Sequence, residues 1–202
     1  MAVWRERKPL ILASQSQVRQ TLLANAGLSF EVKPAAIDER TVQQSSGLTV
    51  ASEIAARLAY EKALYVSLRW PGRYVVGADQ TLECDGCLFN KPVGRAGAVE
   101  HLRALSGRTH TLRAGVAIVR DGKPLFEDVS VARMTMRELS EDTIEAYLDA
   151  VGDAVMASVG TYQLEGLGVH LFSRIEGDHF TILGLPLLPL LAFLRAQGLL
   201  SL

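Results

Sequence analysis

Three observations on the 202-residue chain predict an α/β fold with a mixed sheet. The apolar run Leu10-Ile11-Leu12-Ala13 is long enough for a buried strand and too short for a helix, and a helical pattern follows it. Tyr74-Val75-Val76 repeats the buried-strand pattern after a long helical stretch. Thr109–Val119 alternates, with Leu112, Ala114, Val116 and Ile118 on one face. It turns at Asp121-Gly122 into a second long strand near Leu125–Arg137, and this antiparallel hairpin makes the sheet mixed.

The length supports one domain over residues 1–202, or two lobes sharing a core. Hydrophobic residues make up 49% of the chain, and 21 Lys and Arg against 22 Asp and Glu leave a net charge of −1. That balance argues against binding polymeric nucleic acid, so any nucleotide-like ligand is small and held in a pocket. The segment Met1–Pro9 lacks an apolar core and a cleavage site. Ile182–Leu194 is interrupted by Gly184, Pro186 and Pro189 and falls short of a membrane span. The expectation is a cytoplasmic protein with no membrane partner.

Taken in order, the opening strand turns through Ser14-Gln15-Ser16-Gln17 into a helix closed by Gly27, a C′ residue. Such a turn aims free backbone N–H groups, serine hydroxyls and the helix dipole at one spot, and Arg19 adds a cation: an anion site. The alternative is that Ser16 only caps the helix. Ser29–Lys33 is a short strand. Pro34–Leu48 is polar, holds Asp38-Glu39 beside Arg40, shows no period, and reads as a loop of functional length.

A long helix spans Val50–Arg69, capped by Thr49 and stopped by Pro71-Gly72. At 100° per residue its apolar stripe holds Ala51, Ile54, Ala55, Leu58, Tyr65 and Val66, and Lys62 falls inside that stripe. A lysine there must snorkel, meet a carboxylate, or point into an anion-binding cleft. The strand at Tyr74 ends in Gly77-Ala78 and then Asp79-Gln80, and in open α/β sheets ligands bind at such strand ends. Cys84-Asp85-Gly86-Cys87 reads as a hairpin turn with two free thiols; the scattered histidines supply no further zinc ligands. Beyond it come Phe89-Asn90-Lys91-Pro92, a helix over Ala96–Leu105, the long hairpin, and a helix capped by Ser140. Strands at Thr161–Glu165 and Val169–Ile175 and a helix from Pro186 complete the expected order.

No P-loop, dinucleotide fingerprint or G-x-S-x-G elbow is present. What remains is a set of polar groups at element ends: Ser14, Ser16 and Arg19, then Asp38-Glu39, Lys62, Asp79, Lys91 and Glu165. Cations and hydroxyls suit a polyphosphate, and separated carboxylates suit a divalent metal and a base for water. Metal-assisted hydrolysis of a phosphoanhydride uses that mixture.

The chain resembles the Maf family of nucleoside triphosphate pyrophosphatases over essentially its whole length. The resemblance rests on L-I-L-A-S-Q-S-Q-V-R, Asp38-Glu39, R-L-A-Y-E-K-A, G-A-D-Q-T-L, Asn90-Lys91-Pro92, L-S-G-R-T-H, Y-Q-L-E-G-L-G and I-E-G-D-H-F-T-I-L-G-L-P-L, in family order. It implies a long bent sheet flanked by helices, with two lobes about a cleft, as in inosine triphosphate pyrophosphatases. It also implies cleavage between the α and β phosphates of a nucleoside triphosphate. Carried over, Asp79 accepts the proton of the attacking water, Ser14, Ser16, Arg19, Lys62 and Lys91 hold the triphosphate, and Glu39 helps position Mg²⁺ or Mn²⁺. The resemblance further suggests a homodimer.

Gln17 and Val18 stand where the commonest family opening has proline and arginine. Gln80 and Glu165 resemble the branch selective for 7-methyl-GTP rather than the one taking dTTP and UTP. A carboxylate at 165 can accept from the guanine N1–H and N2–H₂ edge and offset a methylated ring's charge. The alternatives are pairing of Glu165 with a local cation, a pyrimidine-preferring enzyme, a nucleotide-binding regulator of cell division, or a nucleotidyl transferase.

Overall fold

A computed structural model describes residues 3–202; Met1 and Ala2, at the head of the segment read above for a leader, lie outside the described residues. Strand β1 (Leu10–Leu12) is fully buried, and helix α1 (Gln17–Asn25) follows it. Gly27 adopts φ +71°, with Gly27 N–H bonded to Ala24 O and Leu28 N–H to Leu23 O, the left-handed closure that glycine permits. Strand β2 is Phe30–Val32.

The segment expected as a loop contains a helix, α2 (Glu39–Ser46). Asp38 Oδ1 accepts from Arg40 N–H and Thr41 N–H, and Gly47 closes the other end at φ +65°. The helix buries none of its residues, so it left no apolar period to read. Helix α3 (Ala51–Ser67) has Val50 rather than Thr49 at its N-cap, with no side-chain cap. Strand β3 (Val75–Cys84) is longer than expected: it runs straight through Asp79, which is mid-strand.

Asp85 (φ +50°) and Gly86 (φ +78°) make the tight turn into β4 (Cys87–Phe89), and Cys84 and Cys87 face each other across it as free thiols. Helix α4 (Gly94–Leu105) precedes the long hairpin of β5 (Thr109–Arg120) and β6 (Lys123–Met136). Ser140 Oγ accepts from Thr143 N–H to cap α5 (Glu141–Val151).

One strand expectation, Thr161–Glu165, fails, and the other, Val169–Ile175, is met only from Phe172. Residues 161–165 pair with no strand, and 3₁₀ turns occupy Gly152–Ala157 and Leu167–Leu171; pairing resumes only in β7 (Phe172–Glu176). Thr161 sits at φ +62°, which breaks an extended run whatever its β propensity. Short α6 (His179–Ile182) and α7 (Leu187–Ala196), entered from Pro186, finish the chain.

The seven strands form one mixed sheet in the order β2-β1-β3-β5-β6-β7, with β4 also on β3. The β2-β1-β3 part is parallel and the rest antiparallel. Along one edge of β3, β1 pairs only as far as Val76 and β4 begins only at Leu82. Gly77–Thr81 therefore has no neighbouring strand on that edge, and the gap is where the molecule opens. On one side, α3 packs with Ile11, Val75 and Ala117, while α1 and α7 pack with Leu10, Val76 and Ile118 on the opposite face. On the other side, α4, α5 and the far ends of β5 and β6 enclose a second core about Leu102, Met134 and Ile144.

Candidate active site

The cleft between these halves has a volume of about 780 Å³. Along β3, Gly77, Asp79 and Thr81 face α3, and Val76, Ala78 and Gln80 face the other way, as strand alternation requires. The α3 face must approach β3 very closely. A Cβ on Gly77 would lie 2.0 Å from Ala59 O, and one on Gly115, the β5 partner of Asp79, 2.5 Å from Ala55 O. Thr81 Oγ1 ties the next turn by donating to Ala51 O at 3.0 Å.

That approach delivers Lys62 to Asp79. Lys62 Nζ lies 2.5 Å from Asp79 Oδ1 and 2.7 Å from Glu39 Oε1, with Lys62 only 9% and Asp79 8% exposed. The lysine in the apolar stripe thus meets two carboxylates, one from β3 and one from the first turn of α2. Burial pushes the Asp79 carboxyl above its ordinary range, and Lys62 and Arg19 pull it back only in part. Burial acts most strongly to raise Glu39, but Lys62, Lys91 and Arg19 together outweigh it, and the carboxyl ends below its usual value.

The strand–turn–helix at residues 14–19 does two jobs. Ser16 Oγ caps α1, accepting from Arg19 N–H at 3.4 Å, and buried Ser14 Oγ accepts from Ser16 N–H at 3.2 Å. The N–H groups of Gln17 and Val18 have no acceptor among the described residues and open onto the cleft, so the capping and anion readings coexist. Arg19 is pinned: Nε donates to Gly184 O at 2.7 Å, and Nη1 to Ala78 O at 2.8 Å and Ser14 Oγ at 3.2 Å. Ala78 O is a carbonyl on the open edge of β3, so the guanidinium fills the missing strand's place. Its Nη2 donors remain for a ligand. Burial depresses the pKa of Arg19, and Asp79 and Glu39 oppose that.

Exposed Lys91 borders the cleft beyond β4. Gln80 Nε2 donates to Thr181 O and Ile182 O at 3.0 Å each, holding the backbone that leads to Gly184. Glu165 is exposed at the cleft rim and pairs with no cation among the described residues. The cleft thus brings together the residues that the sequence singled out except Asp38, which caps α2 instead. Sequence reasoning missed Tyr162, Gln163 and Phe89, which also line it, because no charge at an element end marks them.

The profile of the family described as Maf-like protein matches residues 9–197. The chain belongs to the Maf-like protein family. Among Maf-like relatives, a nucleoside triphosphate pyrophosphatase of Nitrobacter hamburgensis is 82% identical over 202 residues, all of both chains. A 7-methyl-GTP pyrophosphatase of Rhizobium etli is 52% identical over 94% of this chain and 96% of its own. A HAM1 protein of Coxiella burnetii shares 18% identity over 63% of this chain and 72% of its own, with a TM-score of 0.44.

Proposed function

We propose that this Maf-like protein hydrolyses the α–β phosphoanhydride of nucleoside triphosphates to a monophosphate and pyrophosphate, with a preference for 7-methyl-GTP. The observation that carries the reading is the buried contact of Lys62 with Asp79, with exposed Glu39 on the same ammonium, in a cleft edged by Arg19, Lys91 and the open α1 N-terminus. The Nitrobacter and Rhizobium relatives support the activity by name, and the latter also supports the base.

In this reading the triphosphate lies against the free N–H groups of α1, Ser14, Ser16, Arg19 Nη2 and Lys91. Its charge draws Lys62 Nζ from Asp79, and the freed carboxylate, made more basic by burial, takes the proton of the attacking water. The water oxygen bonds to phosphorus as the bond to the departing phosphate oxygen breaks. Asp79 and Glu39 are too few for an all-protein metal cage, and no group of three His, Cys, Asp or Glu able to hold a metal occurs among the described residues. Two carboxylates facing substrate phosphates do suit Mg²⁺ or Mn²⁺, which hold waters and phosphate oxygens for most of their shell. Glu39 is the side chain that would hold the ion, and the ion supplies charge neutralisation on the phosphates.

Glu165 at the rim, unpaired with any cation among the described residues, supports guanine-edge recognition. Residues 1–202 as one domain, a cytoplasmic setting and a homodimer belong to the same proposal. Pyrophosphate release from 7-methyl-GTP, GTP, UTP and dTTP, each with and without Mg²⁺ or Mn²⁺, tests it. The expected result is metal-dependent release, fastest from 7-methyl-GTP; faster release from UTP or dTTP would remove the base preference.

A further inference from the structure

The cations of the cleft are Arg19 on α1, Arg40 on α2, Lys62 on α3 and Lys91 just beyond β4. The opposite wall, Ser158–Glu165, carries no Lys or Arg, so a triphosphate held by the cations leaves its nucleoside against this wall. The wall has no strand pairing to fix it among the described residues, yet side chains from several elements hold its centre. Thr161 is wholly buried and left-handed (φ +62°), a conformation that a β-branched residue keeps only when its surroundings impose it. His101 Nδ1 on α4 meets Thr161 Oγ1 at 3.2 Å, and Tyr147 on α5 donates to Thr161 O at 3.4 Å. The Tyr162 hydroxyl meets Nε2 of fully buried His110 on β5 at 2.6 Å, and its ring lies edge-on to Phe172 at 4.7 Å. Gly160 makes room for that ring, since a Cβ there would stand 2.3 Å from Tyr162 Cε1.

His110 is costly where it stands. Its Nδ1 is buried without a hydrogen-bond partner among the described residues, a cost that an apolar residue of similar size would avoid. What the imidazole supplies is a fixed partner for the Tyr162 hydroxyl. Gln163, Leu164 and Glu165 follow directly and line the cleft.

We infer that His110 and His101 are positioning residues, which hold Ser158–Glu165 through Tyr162 and Thr161 as the nucleoside-facing wall of the cleft. This inference rests on the nucleoside triphosphate reading above. The residues touch no phosphate and no reacting atom; they set where the base is met.

Tyr162→Phe removes one oxygen and tests the contact with little risk to folding, and His110→Leu removes it from the other side. With 7-methyl-GTP as substrate, each variant is expected to show a KM raised about tenfold. The kcat and the inhibition constant of inorganic tripolyphosphate, which has no base, are expected to stay within about twofold. His110→Gln, which can still reach the Tyr162 hydroxyl, is expected to recover most of the loss. If Tyr162→Phe leaves KM unchanged, or raises KM and the tripolyphosphate constant together, the positioning role is overturned. Wild-type protein that releases no pyrophosphate from any nucleoside triphosphate would instead overturn the underlying reading, a distinguishable failure.

Discussion

On one wall of the cleft, Lys62 and Asp79 stand on a helix and a strand pressed together at Gly77 and Gly115. On the other, Ser158–Glu165 belongs to neither helix nor strand and is held by side chains reaching in from α4, α5, β5 and β7. The first wall is positioned by backbone packing and the second by individual hydrogen bonds. Groups that must meet a reacting phosphate within tenths of an ångström gain from regular elements, whose positions many contacts fix at once. A wall that only meets a base can be built from irregular backbone, and a few substitutions there change what it accepts without moving the chemistry.

The contrast is sharpest at Asp79. Asp79→Asn keeps the shape but cannot take a proton, so kcat is expected to fall by a factor of about 100 to 10,000 while tripolyphosphate binding persists. Single-turnover pyrophosphate release with a parallel binding titration would show this. A loss of both together would mean that Asp79 holds substrate rather than water.

Lys62→Met should be next in size. It keeps the stem of the side chain within the apolar stripe but leaves Asp79 and Glu39 without their shared cation, and a fall of about 100-fold in kcat/KM is expected. Burial then raises Asp79 with its strongest opposing charge removed, so the acid limb of the pH–rate profile should move to higher pH. An unmoved limb would show that Asp79 is not the group whose ionisation sets the rate.

Gly77→Ala tests the packing directly. The new methyl meets backbone at Ala59 and Ala63, so α3 must lift from the sheet at a cost of about 1–3 kcal/mol, visible as a lower denaturant midpoint. A neutral outcome would mean that the close approach is not what places Lys62.

The smallest effect concerns the second wall. Burial holds His110 at about 4, below its ordinary value of 6.5. The unfolded chain takes up that proton first as pH falls, so the folded state loses stability between those values. Between pH 7 and pH 5 the loss is about 2 kcal/mol, and His110→Gln should remove it. Urea titrations of both proteins at the two pH values would measure it, and equal losses would refute the assignment.

The same contrast decided how much of the molecule the sequence disclosed. Lys62 stood out because the helical period made its position anomalous, and Asp79 because a buried run of valines led to it. The long hairpin and both tight Asp-Gly turns were readable for the same reason: period and turn chemistry are local. Helix α2 was hidden because it buries nothing, although Asp38 and Gly47 mark its two ends. Thr161 was misread as strand because its left-handed backbone is imposed by His101 and Tyr147, which lie 60 and 14 residues away in sequence. The role of Ala78 O as an open strand edge follows only from where β1 stops and β4 starts, a fact of topology.

Product analysis of one reaction tests the central claim most directly. Wild-type protein is mixed with 7-methyl-GTP and Mg²⁺, quenched, and the products separated by ion exchange. Hydrolysis at the α–β anhydride predicts monophosphate and pyrophosphate in equal amounts. Nucleoside diphosphate with orthophosphate, or no turnover of this or any other nucleoside triphosphate, would contradict the account.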